Sequence, residues 1–221
     1  PWQEDAWRYE TNACDSEWKT GNITVYYDSD LDGGGTFMAA DFVKLVSNWT
    51  DEHPSKKHFS KAYEWCTGPG FIAFAHLAAG IVDNLLLSDI NPRAVKCLHK
   101  TVQENVLADR VAIYLGKDFL HIPVPDAEED KVDLVLGNPP NYMNIDKDSA
   151  WRTDLRPADP QWRTHQVFYS EIGRYLRRDA VLFIEEVMPE SKEVSYASIG
   201  AILSGGGNYD VRPETPLDVF D

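Results

Sequence analysis

Cysteine is scarce in this chain of 221 residues, which contains three of them. Cys14, Cys66 and Cys97 form an odd, widely scattered set, which predicts neither a disulfide framework nor a zinc site. This usage favours a reducing, cytoplasmic location. We therefore discount the N-glycosylation patterns that begin at Asn22 and Asn48, because such short patterns also occur often by chance.

Positive charge is also scarce, since 21 Lys and Arg residues stand against 36 Asp and Glu residues, a formal net charge of −15. A field of this sign repels polyanions, because nucleic-acid binding draws largely on Lys and Arg contacts to phosphate. A small molecule or a protein is the expected partner, and nucleic acid is disfavoured.

Long apolar runs are missing too. The longest, residues 71–80, falls short of the ~20 residues of a membrane span, so no membrane association is expected.

Motifs for metals and for hydrolysis are absent. The six histidines show no spacing of metal ligands, and no Gly-x-Ser-x-Gly elbow occurs. Asp28, Asp30 and Asp32 imitate the start of a calcium loop, but the position of its glutamate is occupied by Ala39. We expect no metal site.

Alternating strand and helix signals follow an N-terminal stretch, residues 1–35, that is polar and aromatic without sustained periodicity. Apolar spacing predicts a helix over 38–49. Strands are predicted over 62–66, 85–87 (closing at Asp89), 111–115, 132–137 and 180–187, and helices over 71–79, 92–107 and 161–176. This order indicates parallel crossovers and a doubly wound α/β sheet with helices on both faces.

The segment Asn138-Pro139-Pro140 closes the apolar strand at 132–137. Each proline removes a backbone donor and fixes φ, so the chain leaves the sheet rigidly and the Asn138 amide is held in place. Ligands bind at the carboxyl ends of strands in such sheets. The following residues, 141–160, show no clear element, and their position predicts a substrate-facing lid.

A glycine-containing loop, Glu64 to Gly70, joins the first strand of the alternating region to its helix, and glycines let a backbone approach a ligand closely. Asp89 ends the next strand, where its carboxylate can accept both hydroxyls of a ribose. The alternative role for Asp89 is an Asx turn, but Asn91 already supplies the N-cap and Pro92 the first helical position. A nucleotide-binding Rossmann protein competes with this interpretation, although Gly-Pro-Gly fits a pyrophosphate poorly.

These segments together resemble the class I S-adenosylmethionine-dependent methyltransferases over about residues 60–190. The loop Glu64 to Gly70 is similar to their Glu-x-Gly-x-Gly-x-Gly loop, with Cys66 at the first glycine. Residues 138–142 are similar to the Asn-Pro-Pro-(Tyr/Phe) signature of a branch that contains release-factor glutamine, ribosomal-RNA guanine and DNA adenine N-methyltransferases. The resemblance implies S-adenosylmethionine as cofactor, S-adenosylhomocysteine as product, and a mainly parallel, seven-stranded-type Rossmann-like sheet.

The resemblance also implies which residues form the site. Cofactor contacts would come from Glu64, Cys66, Gly68, Gly70, Asp89, Ile90, Asp118, Phe119 and Asn138, with Asp118 and Phe119 at the adenine. Catalytic roles would fall to Asn138, Pro139 and Tyr142, and substrate contacts to Asn141, Tyr142, Trp151 and His165. For His165 the alternative, a helix that packs its aromatic residues on the sheet, is preferred.

The chemistry of the Asn-Pro-Pro segment follows from its two hydrogen-bond acceptors. The Asn138 side-chain oxygen and the Pro139 carbonyl can each accept one N–H of the substrate nitrogen. These bonds aim the remaining lone pair of that nitrogen at the methyl group. Most of the rate would then come from positioning and electrostatics. The family has an aromatic residue where this chain has Asn141, which leaves open a non-planar amine or guanidine, or Tyr142 in the aromatic role.

The sequence therefore predicts an N-methyltransferase that acts on an amine or amide nitrogen of a small molecule or a protein side chain. Three alternatives stay open: an RNA or DNA base N-methyltransferase, a non-catalytic binding module, and an enzyme that uses another part of S-adenosylmethionine. We expect residues 1–37 to form an N-terminal lid or substrate segment and residues 38–221 to form the cofactor-binding domain.

Overall fold

The structure is a computed structural model that describes residues 14–31, 35–117, 121–140, 159 and 163–185. The strands in these residues are β1 (Ser16–Thr20), β2 (Ile23–Tyr27), β3 (Phe59–Trp65), β4 (Val82–Asp89), β5 (Val111–Leu115), β6 (Val132–Gly137) and β7 (Leu176–Ile184). The helices are α1 (Gly35–Glu52), α2 (Phe71–Ala78), α3 (Pro92–Glu104) and α4 (Arg163–Glu171), with short 3-10 turns at Ser29–Leu31, Asp126–Glu128 and Ile172–Arg174.

Strands β3 to β7 form one parallel sheet in the order β5-β4-β3-β6-β7. The chain moves outward from β3 through β4 to β5, and then returns to the other side of β3 as β6 and β7. This order confirms the doubly wound α/β fold. The family resemblance implied a seven-stranded-type sheet, of which the described residues supply five strands.

Both faces of this sheet are covered, and this explains why its central strands read as continuous apolar runs. All six residues of β6 are buried. One core cluster joins the sheet to α1, α2 and α3, with Phe42, Phe74 and Leu98 among its members. The other cluster joins the opposite face to α4 through Phe168 and Tyr169. The predicted placement of helices on both faces is therefore correct.

The N-terminal stretch, which showed no periodicity, contains an antiparallel hairpin of β1 and β2. A two-residue turn joins the strands, and Gly21 in it has a φ of 55°. The hairpin rests on α3, where the Asn105 side chain accepts the Thr24 N–H at 2.9 Å and the Thr101 hydroxyl accepts the Tyr26 N–H at 2.9 Å. Because β1 is mostly polar and partly exposed, its residues carry no pattern of burial that a sequence could reveal.

Two predicted boundaries were wrong at the C-terminal end of the described chain. The helix expected over 161–176 ends at Glu171, and the strand expected over 180–187 begins at Leu176. Leu176 pairs with Val132, and the pairing is then irregular between Val132 and Leu134. Residues 177–179 are exposed and polar, so this part of β7 lacks the apolar signal of a strand.

Near the N-terminal end of the described chain, α1 begins at Gly35. The boundary that we expected between residues 1–37 and residues 38–221 therefore falls within the first turn of α1.

The prediction of no disulfide was wrong, because Cys14 and Cys97 are joined, with their Cα atoms 5.4 Å apart. The two cysteines lie 83 residues apart in the sequence, and docking of the hairpin on α3 brings them together. Spacing along the chain could not show this pairing. Cys97 is fully buried, as expected for a core position, and Cys66 is a free thiol.

Asp28, the first residue of the segment that resembles a calcium loop, has a structural partner. It is buried, and its carboxylate binds the Arg93 guanidinium of α3 and accepts the Asp30 N–H at 3.1 Å. The described part of the chain holds no group of three His, Cys, Asp or Glu residues that could bind a metal ion. None of the helices in that part is long and apolar enough to cross a membrane.

The start of α1 gives a test of the packing around α2. A Cβ atom added at Gly35 would lie 2.4 Å from Cδ2 of Phe71, so Gly35→Ala must displace this ring. We expect the substitution to lower the free energy of unfolding by about 1–3 kcal/mol. Helix propensity alone predicts the opposite sign. Urea denaturation of both proteins measures the difference, and a stabilised variant would contradict the contact.

Candidate active site

The carboxyl ends of β3 and β6 meet at the point where the strand order reverses. Trp65 at the end of β3 pairs with Gly137 at the end of β6, so the loop Cys66 to Gly70 and the segment Asn138 to Pro140 leave the sheet side by side. Open α/β sheets bind ligands at this switch point. The structure thus brings together the two motifs that the sequence singled out.

Two glycines of the loop after β3 have different roles. Gly70 has a φ of 83°, and a Cβ there would lie 2.8 Å from Phe74 and 2.9 Å from Leu98, so only glycine fits beneath this part of the loop. Gly68 has a φ of 53°, but a Cβ there would meet no atom within 4 Å. Gly68 therefore faces open space, where a ligand can approach the backbone.

Cys66 occupies the position of the family's first glycine and has a φ of 52°. This left-handed conformation costs an L-residue roughly 1–2 kcal/mol. The backbone at Cys66 thus has a conformation that suits glycine. Burial raises the pKa of the Cys66 thiol well above its usual value, and the nearby carboxylate of Asp89 raises it further, so the thiol is neutral.

Glu64 lies buried near the end of β3, against the start of α2. Its Oε2 accepts the Ala73 N–H at 3.0 Å. Burial raises the pKa of Glu64 to about 8; the hydrogen bond from Ala73 lowers it, and the charge of Asp89 raises it further. A cationic group beside Glu64 would favour the ionised carboxylate. Glu64 is therefore suited to the ammonium end of a ligand.

Asp89 ties the ends of β3 and β4 together. One oxygen of its carboxylate accepts the Gly68 N–H at 2.6 Å, and the other accepts the Asn91 N–H at 2.8 Å. Burial raises the pKa of Asp89, and these amide bonds lower it in part. Since a carboxylate offers about four acceptor positions, the Asx turn and ribose binding are compatible. Asn91 caps α3 as predicted, accepting the Arg93 N–H at 3.0 Å, and Ile90 is half-buried beside it.

Asn138 is half-buried and Pro139 is buried immediately after β6. No hydrogen bond joins the Asn138 side chain or the Pro139 carbonyl to another described residue. Acceptors at a strand end that have no partner among the described residues can bind the N–H groups of a ligand. The catalytic role that the sequence suggested for this segment stays a prediction.

Glu185 is a candidate site residue that the sequence analysis missed. It follows β7, and its backbone N–H donates to the Gly137 oxygen at 2.9 Å, which places it next to the start of the Asn-Pro-Pro segment. Burial raises the pKa of Glu185, as does the charge of Asp41 in α1. An acid directly after an apolar strand, as at Asp89, was the signal that could have identified it.

His165 lies on the other face of the sheet. It is fully buried, with its Nδ1 2.6 Å from Oδ2 of Asp159 and its ring at right angles to Trp65, 5.1 Å away. Burial favours a raised pKa for Asp159, but hydrogen bonds from His165 and Thr164 lower it below the usual value. This is the packing arrangement considered above as the alternative. Asp118, Phe119, Asn141, Tyr142 and Trp151 lie outside the described residues.

Comparison with known proteins supports the same fold. No protein-family model matches the sequence. A stretch of 109 residues, 49% of this chain, is 31% identical to release factor glutamine methyltransferase of Clostridium acetobutylicum, and it spans 37% of that protein. The chain thus matches little more than a third of the length of this relative.

The solved structures that resemble the chain at a TM-score above 0.5 include the following two. One is a SAM-dependent methyltransferase from Aquifex aeolicus, with a TM-score of 0.51 and 16% identity over 81% of this chain and 85% of that chain. The other is Trm5b from Pyrococcus abyssi, with a TM-score of 0.55 and 16% identity over 88% of this chain and 47% of that chain. At these identities the likeness shows the fold, and it confirms the Rossmann-like methyltransferase fold.

The strain at Cys66 can be measured by comparing two variants. Cys66→Ala removes the sulfur but keeps a Cβ at a φ of 52°, whereas Cys66→Gly removes both. We expect the glycine variant to be more stable than the alanine variant by about 1 kcal/mol, because only glycine adopts this conformation without a steric penalty. Urea denaturation measures both. Equal stability, or a more stable alanine variant, would contradict the strained conformation.

Glu64 makes stability depend on pH. Its pKa of about 8 in the folded protein exceeds the ordinary 4.5, so between these values the folded state holds a proton that the unfolded state has lost. Stability therefore falls as pH rises through this window. Glu64→Gln keeps an acceptor for Ala73 but does not titrate. From pH 5 to pH 8 we expect wild type to lose about 3–4 kcal/mol more than the variant in urea denaturation. Parallel pH profiles of the two proteins would rule this out.

Proposed function

We propose that this chain, which has the fold of the class I S-adenosylmethionine-dependent methyltransferases, transfers the methyl group of S-adenosylmethionine to an amine or amide nitrogen. The observation that carries the proposal is the pairing of Trp65 with Gly137, which sets the glycine loop and the Asn-Pro-Pro segment side by side at the switch point. One motif would hold the cofactor and the other the acceptor.

The described residues fit the cofactor. The open space above Gly68 admits a ligand to the backbone, and Asp89 has acceptor positions left for ribose hydroxyls. Glu64 would bind the ammonium end, since a neighbouring cation compensates for the burial of a carboxylate. The bound cofactor supplies an electrophilic methyl group next to a positively charged sulfur.

Asn138 and Pro139 would orient the acceptor. Their side-chain and backbone oxygens each accept one N–H, which directs the nitrogen lone pair along the line of transfer. A carbon–nitrogen bond forms as the carbon–sulfur bond breaks, the sulfur keeps that bonding pair, and the acceptor releases one proton to solvent. No strong base is required of the protein, because positioning and electrostatics provide most of the acceleration.

Charge favours a protein side chain or a small molecule as acceptor. The chain carries a net charge of −15, and the acid Glu185, which Asp41 approaches closely enough to raise its pKa, follows β7 next to the Asn-Pro-Pro segment. Such a field opposes the phosphates of RNA and DNA. The release factor glutamine methyltransferase that matches part of this chain is named for a protein amide as acceptor, and we propose a side-chain amide of this kind ahead of a small amine.

We also propose that residues 1–37 enclose the site as an N-terminal substrate segment and that residues 38–221 form the cofactor-binding domain. A cytoplasmic location stays a prediction. The disulfide between Cys14 and Cys97 removes the argument from cysteine usage on which that prediction rested.

Two variants separate cofactor binding from transfer. Gly68→Ala places a Cβ in the open space over the loop, so we expect S-adenosylhomocysteine to bind at least 10-fold more weakly, while strain at this φ lowers stability by only about 1–2 kcal/mol. Asn138→Ala removes one of the expected cofactor contacts and should weaken S-adenosylhomocysteine binding by less than about 10-fold, but it should transfer methyl groups about 100-fold more slowly. Calorimetry and label transfer measure these effects. Unchanged transfer by the Asn138 variant would refute the proposed orientation of the acceptor.

The acceptor can be identified by incubating the protein with methyl-labelled cofactor and an extract of the source organism, followed by fractionation by size. Label on protein or on a small molecule supports the proposal, and label on nucleic acid establishes the base-methylating alternative. Asn138→Ala is the matched control, which should label the same fraction about 100-fold more slowly. Methylthioadenosine in place of S-adenosylhomocysteine would show that another part of the cofactor reacts, and cofactor binding without any turnover would indicate a binding module.

A further inference from the structure

Phe71, the first residue of α2, is enclosed by the N-terminal part of the chain. The ring of Trp18 in β1 lies 5.6 Å from it, and the ring of Tyr27 in β2 lies 5.0 Å from it, both edge to face. Gly35 at the start of α1 lies so close to the same ring that a Cβ atom at this position would be 2.4 Å from Cδ2 of Phe71. Phe71 directly follows Gly70, so these contacts act on the end of the candidate cofactor loop.

The hairpin that supplies Trp18 and Tyr27 is held on α3 by polar contacts. Asn105 and Thr101 accept backbone N–H groups of β2, and Asn105 also donates to the Thr24 carbonyl at 2.7 Å. After β2, the buried carboxylate of Asp28 binds Arg93 at the start of α3. The hairpin therefore bridges α3, which begins just after Asp89, and α2, which begins just after Gly70.

The covalent part of this attachment is the Cys14–Cys97 disulfide. Cys14 precedes β1 and is 8% exposed, and Cys97 lies in the middle of α3 and is 0% exposed. A crosslink of this kind keeps the hairpin at a high effective concentration over its binding surface on the helix. Without the crosslink, the hairpin is held by the polar and aromatic contacts alone.

We propose that the N-terminal hairpin positions the cofactor loop through Phe71, and that the Cys14–Cys97 disulfide secures it, so that reduction of this bond weakens cofactor binding. This inference rests on the proposed function. Trp18, Tyr27 and Phe71 are positioning residues, since they would act on the cofactor through the loop that contains Gly68 and Gly70.

The reductant would be a dithiol. Its thiolate attacks one cysteine sulfur, the S–S bond breaks, and a mixed disulfide forms; its second thiol then displaces the protein thiol. The two cysteines gain two electrons and two protons, and the dithiol becomes a cyclic disulfide. Both protein sulfurs are buried, so the hairpin must open before attack. By linkage, a cofactor that binds more tightly to the oxidised protein shifts the redox equilibrium toward the disulfide.

Calorimetry with S-adenosylhomocysteine tests the coupling. We expect the dissociation constant to rise about 10-fold on reduction with a dithiol, at an unchanged stoichiometry. A double variant, Cys14→Ser with Cys97→Ser, should bind as weakly as the reduced wild type and should not respond to dithiol. The same variant controls for the free thiol of Cys66. Equal affinity of the oxidised and reduced proteins would overturn the inference.

The stoichiometry distinguishes positioning from mere stabilisation. If reduction only unfolds part of the protein, fewer molecules bind but those that bind keep the full affinity, and the inference is then wrong. Phe71→Leu provides a second test that keeps an apolar side chain but removes the ring contacts with Trp18 and Tyr27. We expect weaker binding and a smaller effect of dithiol. A Phe71→Leu protein with the affinity and redox response of wild type would contradict the proposed route.

The redox equilibrium provides a reciprocal measurement. After equilibration in mixtures of reduced and oxidised dithiol, peptide mass analysis after alkylation follows Cys14 and Cys97 separately from Cys66. Saturating S-adenosylhomocysteine should shift the equilibrium toward the Cys14–Cys97 disulfide by about the factor measured for affinity. No shift with the ligand would contradict the coupling. If the oxidised protein binds no S-adenosylhomocysteine at all, both the proposed function and this inference fail. Equal binding in both redox states overturns only this inference.

Discussion

The parallel pairing of β3 with β6 is the constraint on which the site depends. Side chains alternate between the two faces of a strand, so the register that sets Trp65 opposite Gly137 also sets the face of every neighbour. Glu64 turns toward α2, whose Ala73 N–H it accepts, while Trp65 turns to the opposite face and stacks on Phe168 at 3.9 Å. A slip of one residue would exchange these two side chains. It would place an aromatic ring against α2, at the position that Glu64 occupies.

The acids at this edge of the sheet link stability to ligand binding. Burial raises the pKa values of Glu64, Asp89 and Glu185, so in the free protein each is more difficult to ionise than in water. Perturbed carboxyl groups of this kind cluster at functional sites. A ligand with positive charge reverses the effect, because it favours the ionised forms that burial opposes. Sulfonium and ammonium groups satisfy this requirement, whereas a nucleotide phosphate does not.

Local signals predicted much of the fold. β5 and β6 have their predicted bounds because each is a short apolar run between polar residues, and Asn91 followed by Pro92 marks the start of α3 unambiguously. The hairpin and the Cys14–Cys97 bond escaped prediction because they depend on contacts between distant parts of the chain. The two motifs of the candidate site could be recognised in the sequence because each follows an apolar run that predicts a strand. Glu185 follows an apolar run as well, but it belongs to no familiar motif.

The disulfide changes how the N-terminal hairpin should be understood. In a reducing compartment, disulfides are mostly transient and sense the redox state, whereas in an oxidising compartment they are permanent supports. Both sulfurs of the Cys14–Cys97 pair are buried, so the lifetime of the bond depends on how often the hairpin leaves α3. Those openings would also release Phe71, and with it the end of the cofactor loop. The motion that exposes the bond to reductant is thus the one that a bound cofactor would suppress, whichever compartment contains the protein.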